Sequence, residues 1–196
     1  MKKIIYISIV VFIFWFISLD EDQVSLGPGV FAPDIPIQEK ITDPESFELN
    51  GYTITPLANF HIKAKVLSRK NYNFGKESDL SPIDLALGWG KMSDESVLAT
   101  IDISQSNRWY KWWTESFQIP RNEIEINSAN MHIIPANDLV DSELDLVRTG
   151  DIVEFKGKLV RVDDKDGWHW ASSLTRNDTG SHACELIWVE EFGIQY

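Results

Sequence analysis

With one cysteine in 196 residues, no internal disulfide can staple the fold. None is required. A folded part of about 150 residues buries roughly 68–70% of its unfolded surface around a single core. Basic residues are scarce: 18 Lys and Arg stand against 30 Asp and Glu, for a net charge of -12. That balance lacks the cations that nucleic-acid phosphates or anionic lipid surfaces demand, so neither is an expected partner. There is no Walker A loop and no dinucleotide fingerprint, and no cofactor is expected. There is no G-x-S-x-G elbow to activate Ser172 or Ser173 with His182 and Asp178. Asp163 to Gly167 reads as a hairpin turn with Asp-Gly. As a calcium loop it fails, because Val162 and Ser173 would occupy ligand positions that need carboxylates. His169, His182, Cys184 and Asp178 have metal-ligating atoms, but their spacing fits no zinc arrangement, and no metal is expected. The chain has neither an internal repeat nor a low-complexity tract.

What the chain does have begins at its N-terminus. Lys2 and Lys3 precede an uncharged run, Ile4 to Leu19, and Asp20, Glu21 and Asp22 follow it. No small-residue cleavage site lies near Leu19, so residues 1–20 read as an uncleaved signal anchor with a transmembrane helix. The positive-inside rule keeps the lysines cytoplasmic. The expected product is a single-pass protein of the cytoplasmic (inner) membrane with its C-terminal domain extracytoplasmic. Residues 21–50 hold Pro28, Pro33, Pro36 and Pro44 and read as an extended linker. Val30, Phe31, Ile35 and Ile37 give that linker an apolar side that can dock on the domain.

The domain itself is expected over residues 51–196. Leu57 to Ser68 alternates, with Phe60, Ile62, Ala64 and Val66 inward and His61, Lys63, Lys65 and Leu67 on a wet face. Ser81-Pro82 predicts a helix opening through Leu85 to Leu87, ended by Gly88-Trp89-Gly90. Those two glycines let the backbone approach something closely. Ser93-Asp94 predicts a capped turn. Trp109, Trp112 and Trp113 have the spacing of one helical face, and Glu123 to Pro135 reads as strand, loop, strand with His132 in or near the core. Leu139, Val140, Leu144 and Val147 predict a short helix. Ile152 to Val162 is one bent strand or two, Trp168 to Trp170 a strand with both Trp on one face, and Ala183 to Val189 the last strand. The fold class is therefore α+β, mainly β: a small, partly closed barrel of the OB or SH3-like kind, or a sandwich, with short helices.

Ser181-His182-Ala183-Cys184 resembles the Ser-His-Gly-Cys motif of L,D-transpeptidases, which act on the cell wall. The resemblance implies Cys184 as nucleophile, His182 as base and His169 as the family's further histidine. Ala183 stands at the motif glycine, and Glu185-Leu186 where a hydrophobic-Arg pair belongs. Glu185 and Glu190 also oppose the positive surroundings a thiolate needs. More broadly, GWGKMSD, ISQSNRWYKWW, SANMHIIPA and GWHWASSLTR with ACELIWV resemble a family of small bacterial membrane-anchored proteins to which no activity is attached. That resemblance implies a shared fold and placement in the cell envelope. The leading expectation is a non-catalytic envelope binding or assembly module. Trp109, Tyr110, Trp112, Trp168 and Trp170 would present an aromatic surface to a protein or glycan. A cysteine-dependent cell-wall enzyme using Cys184, His182 and His169 is the alternative.

Overall fold

The computed structural model describes residues 23–175 and 184–195. The apolar run 4–19 and His182 lie outside them. Among the described residues no helix is long and apolar enough to cross a membrane.

The protein is mainly β, with few and short helices. The strands are β1 (Ile37–Lys40), β2 (Phe47–Leu49), β3 (Tyr52–Asn71), β4 (Ile83–Gly88), β5 (Asp102–Ser106), β6 (Trp109–Trp113), β7 (Ser128–Pro135), β8 (Ile152–Asp163), β9 (His169–Ala171) and β10 (Glu185–Gln195). Helices α1 (Glu95–Leu98), α2 (Arg121–Ile126) and α3 (Asp138–Asp145) are interspersed. Asp94 caps α1 by accepting from Ser96 N, as the Ser-Asp pattern expects. Asn137 caps α3 by accepting from Leu139 N and Val140 N.

The twenty-residue β3 organises the sheet. Its first part pairs with β8, and its last part pairs with β4. Register shifts at Pro56/Ala58 and Val66/Ser68 let the strand bend between these two jobs. The sheet then runs β4, β7, β10 and β8, and so returns to β3 in a ring. Every contact in this ring is antiparallel except β7 with β10, which is parallel. β1 and β2 extend β3, and β9 extends β8. Phe60, Ile62, Val66, Leu85, Leu87, Met131, Ile133, Phe155, Leu159, Ile187 and Val189 form the main core inside the ring.

Four expectations change. Ile83–Gly88 is a strand, not a helix, and all six residues are buried. A strand covered on both faces loses the alternation that would reveal it. Trp109–Trp113 is also a strand; its exposure alternates, so the helical spacing of Trp109, Trp112 and Trp113 is accidental. Arg121–Ile126 is a helix, although its Glu-Ile-Glu-Ile reads as a strand. Only Ile124 is buried there, and Arg121 Nε donates to Glu125 Oε1 at 2.9 Å along the helix surface. The outer face of β3 is not uniformly wet, since Lys65 and Leu67 are buried. His61 is half-buried and bonds Glu154 at 2.9 Å.

The Pro-rich stretch docks, and Ile37–Lys40 and Phe47–Leu49 add strands to the sheet. Gly88 explains one of the two glycines flanking Trp89. A Cβ there would meet the Met92 carbonyl oxygen at 2.3 Å, so the close approach is to the protein's own backbone. Gly88→Ala is expected to cost about 1–3 kcal/mol by overpacking, read as a lowered melting temperature.

Candidate functional site

The segment between β4 and β7 is a long insertion that folds back over the ring. At its centre is the β5–β6 hairpin. Asn107 and Arg108 form its turn, with φ of 52° and 66°. Two positive φ values in a two-residue loop define the type I′ turn that matches strand twist. Asn tolerates this conformation readily, and Arg does so less. Arg108 is held there by its contacts. Its backbone N–H donates to Tyr72 Oη at 2.9 Å, and its guanidinium lies 4.0 Å from the Tyr72 ring centroid.

The same guanidinium reaches a fully buried carboxylate. Arg108 Nη1 donates to Asp84 Oδ1 at 2.7 Å, and Nη2 donates to the Ser81 carbonyl at 2.9 Å. Asn130 Nδ2 donates to Asp84 Oδ2 at 3.4 Å and to the Arg108 carbonyl at 3.2 Å. Gln105 Nε2 donates to Asn130 Oδ1 at 2.7 Å. His132, buried as expected, brings Nδ1 within 2.9 Å of Asp84 Oδ1, but without the alignment of a hydrogen bond. This network pins the hairpin turn to β4 and β7.

Pinning the hairpin leaves a cavity of about 650 Å³ beside it. Trp109, Tyr110, Trp112, Trp113 and Phe117 form one wall. Trp89, with Ser128, Ala129 and Asn130 of β7, lines the ring side. Thr175, Cys184 and Glu185 also line it, as do the charged Lys111, Arg121 and Glu125. Trp109 and Trp113 are 40% and 57% exposed and point the same way from the strand. Tyr110 and Trp112 pack inward, beside Met92, Ile119 and Ile124. Trp112 meets Phe117 edge-on at 6.2 Å, and the Arg121 guanidinium lies 5.6 Å from its ring.

Polar atoms also face this region. Tyr110 Oη donates to Ser128 Oγ at 3.2 Å. Burial pushes the Tyr110 phenol up to about 12, so it stays a donor at physiological pH. Trp89 is 1% exposed, and its indole N–H has no hydrogen-bond partner among the described residues. Gln105, which does not line the cavity, likewise has a buried Oε1 without a partner among the described residues. A buried donor without a partner is costly to the fold.

The expected site residues fall into separate places. Trp109, Tyr110 and Trp112 line the cavity, together with Cys184. Trp168 and Trp170 do not line it. Their rings are 6.3 Å apart on one face, as the pattern predicts. Trp168 packs edge-on against Tyr52 at 6.0 Å, and Trp170 lies 4.8 Å from the His132 ring. Trp170 also lies 5.7 Å from the Arg108 guanidinium, so it backs the network that holds the turn. His169 is exposed on β9, across from Asp163. Half-buried Cys184 has its Sγ 3.9 Å from the Arg108 carbonyl oxygen. Sequence reasoning missed Asp84 and Arg108 as partners, and it also missed Trp89 and Phe117 as lining. The one signal available was Asn107, a residue suited to a type I′ turn between two short alternating runs.

No group of three or more His, Cys, Asp or Glu among the described residues could hold a metal ion. No protein-family model matches this chain, nor does any curated protein or solved structure.

Proposed function

We propose that this protein is a membrane-anchored module of the cell envelope whose aromatic cavity binds a stretch of glycan. The reading combines an OB-like ring with the position of the cavity on it. Taken in chain order, the ring strands β3, β4, β7, β8 and β10 are the first to fifth. They close as first, second, third, fifth, fourth and back to first, with third and fifth parallel. Helix α3 lies between the third and fourth strands. OB-folds bind oligonucleotides and oligosaccharides on the face of their second and third strands. The observation that carries the proposal is that the cavity is lined by β7, the third strand, and by Trp89 at the end of β4, the second.

The chemistry of the walls favours sugar. Apolar ring faces accept the C–H faces of a pyranose, and polar side chains that line the same cavity, such as Lys111, Arg121 and Glu125, can meet its hydroxyls. The net charge of -12 disfavours nucleic acid, which would otherwise suit an OB-like surface. Anchoring in the cytoplasmic membrane with the domain outside brings this cavity to cell-wall polymer. The resemblance to small bacterial membrane-anchored proteins agrees with that placement.

The test is retention of the full-length protein, in mild detergent, by purified peptidoglycan. Trp109→Ala and Trp113→Ala are each expected to weaken retention at least about tenfold, equivalent to about 1.4 kcal/mol. Both side chains are exposed, so these variants fold. Unchanged retention in both would remove the glycan reading. A cysteine-dependent cell-wall enzyme is the second reading, favoured by Cys184 lining the same cavity. It requires Cys184→Ala to abolish cleavage or exchange of cell-wall peptide while peptidoglycan retention persists.

A further inference from the structure

The N-terminal strap carries the next inference, which rests on the membrane-anchor part of the reading above. From Val24 onward the chain is fastened to the domain. Val24 N donates to the Thr149 carbonyl at 2.9 Å. Leu26 N donates to Glu95 Oε1 at 2.7 Å, Gly27 N donates to Glu95 Oε2 at 2.9 Å, and Ser25 Oγ donates to the same Oε2 at 2.7 Å. Gly29 N donates to Asp94 Oδ1 at 3.0 Å, and Ala32 N donates to Ser93 Oγ at 3.1 Å. The strap lies so close to Gly150 that a Cβ there would sit 1.8 Å from the Val24 carbonyl oxygen.

The distance from this fastening to the apolar run is short. Residues 20–23 alone separate Leu19 from Val24. Five steps along the chain reach at most about 18 Å. A domain of about 150 residues is about 40 Å across. The tether is thus shorter than the body it holds, so the domain cannot present an arbitrary face to the membrane. The end that carries Val24 and Thr149 must face it.

Two exposed apolar side chains flank that end. Leu26, 43% exposed, is two residues from Val24, and Leu146, 65% exposed, is three residues before Thr149. Chain reach places both within about 10 Å of the Val24–Thr149 bond. We infer that this end of the domain rests on the lipid bilayer, with Leu26 and Leu146 in the headgroup layer. Exposed Asp141 and Asp145 on α3 favour shallow contact with neutral headgroups over insertion.

The experiment uses the full chain in phosphatidylcholine vesicles, on a Cys184→Ser background. A fluorescent label goes on L26C, L146C or K165C in turn. Lys165 is the control, because it lies beyond the far end of β8, a twelve-residue strand that spans up to about 40 Å. A quencher carried on lipid headgroups is expected to quench the labels at 26 and 146 several-fold more than the one at 165. Equal quenching at all three positions, in protein that floats with the vesicles after an alkaline wash, overturns the contact and leaves the anchor standing. Protein that does not float overturns the anchor, and the contact with it.

Discussion

Asp84→Ala is expected to cost about 3–5 kcal/mol of folding stability, a large part of the 5–15 kcal/mol typical of a domain. Asp84 is 0% exposed and receives Arg108 Nη1 at 2.7 Å. Removing it strands the guanidinium against a low-dielectric wall. It also takes an acceptor from Asn130 and the neighbouring anion from His132. The cost arises from the cation left behind more than from the attraction lost. Arg108→Met paired with Asp84→Ala should therefore recover part of the loss, and a double-mutant cycle in urea measures how much. Additive losses in that cycle would refute the pairing. The single change should also weaken peptidoglycan retention, because the cavity wall hangs from the turn that Asp84 holds.

The second large effect is at Glu95. Glu95→Ala is expected to cost about 3–5 kcal/mol, because it strands Lys65, whose side chain is 3% exposed. Lys65 Nζ would keep the Gly150 carbonyl at 2.9 Å and the Phe31 ring at 5.7 Å, but no anion in contact among the described residues. The same substitution unfastens Ser25, Leu26 and Gly27, so limited proteolysis should cut the strap first. A pH signature accompanies it. Burial raises the Glu95 carboxyl, but hydrogen bonds from Leu26, Ser25 and Lys65 and the Lys65 charge outweigh burial and hold it at about 2. An unfolded Glu titrates near about 4.3. The folded state therefore binds fewer protons, and the linked stability is complete above that value and disappears as pH falls through about 2. The stability gap between the wild type and Glu95→Gln should be wide at pH 7 and close steadily below about pH 4.3. A gap independent of pH would show that the strap does not depend on this charge.

How much of this was legible depended on whether a segment's two sides differ. The alternating half of β3 declared itself through Phe60, Ile62, Ala64 and Val66 against His61 and Lys63. The Asp-Gly turn at Gly167 and the Asp94 cap were local chemistry and were read directly. The mainly β, partly ring-like sheet followed from such pieces. β4 did not show itself, because Ile83 to Gly88 is covered on both sides and has no period to read. β6 misled for the opposite reason. Five aromatic and basic residues in a row satisfy helical and strand spacing at once, and only the Asn107–Arg108 turn breaks the tie. The candidate site was half legible. The tryptophans were conspicuous, but division between the cavity and the Trp168–Trp170 side is set by long-range pairing. Asp84 meeting Arg108 depends on a pairing across a sequence separation of 24, which no local pattern encodes.

The position of β10 has a consequence for biosynthesis. The last strand is not an edge but lies between β7 and β8. A chain emerging N-terminus first therefore holds two unpaired strand borders open until residues 185–195 arrive. Those borders are the surfaces on which incomplete chains stick to one another. Completion of the ring thus waits for β10, and a nascent chain that stops before Glu185 lacks the strand that joins β7 to β8.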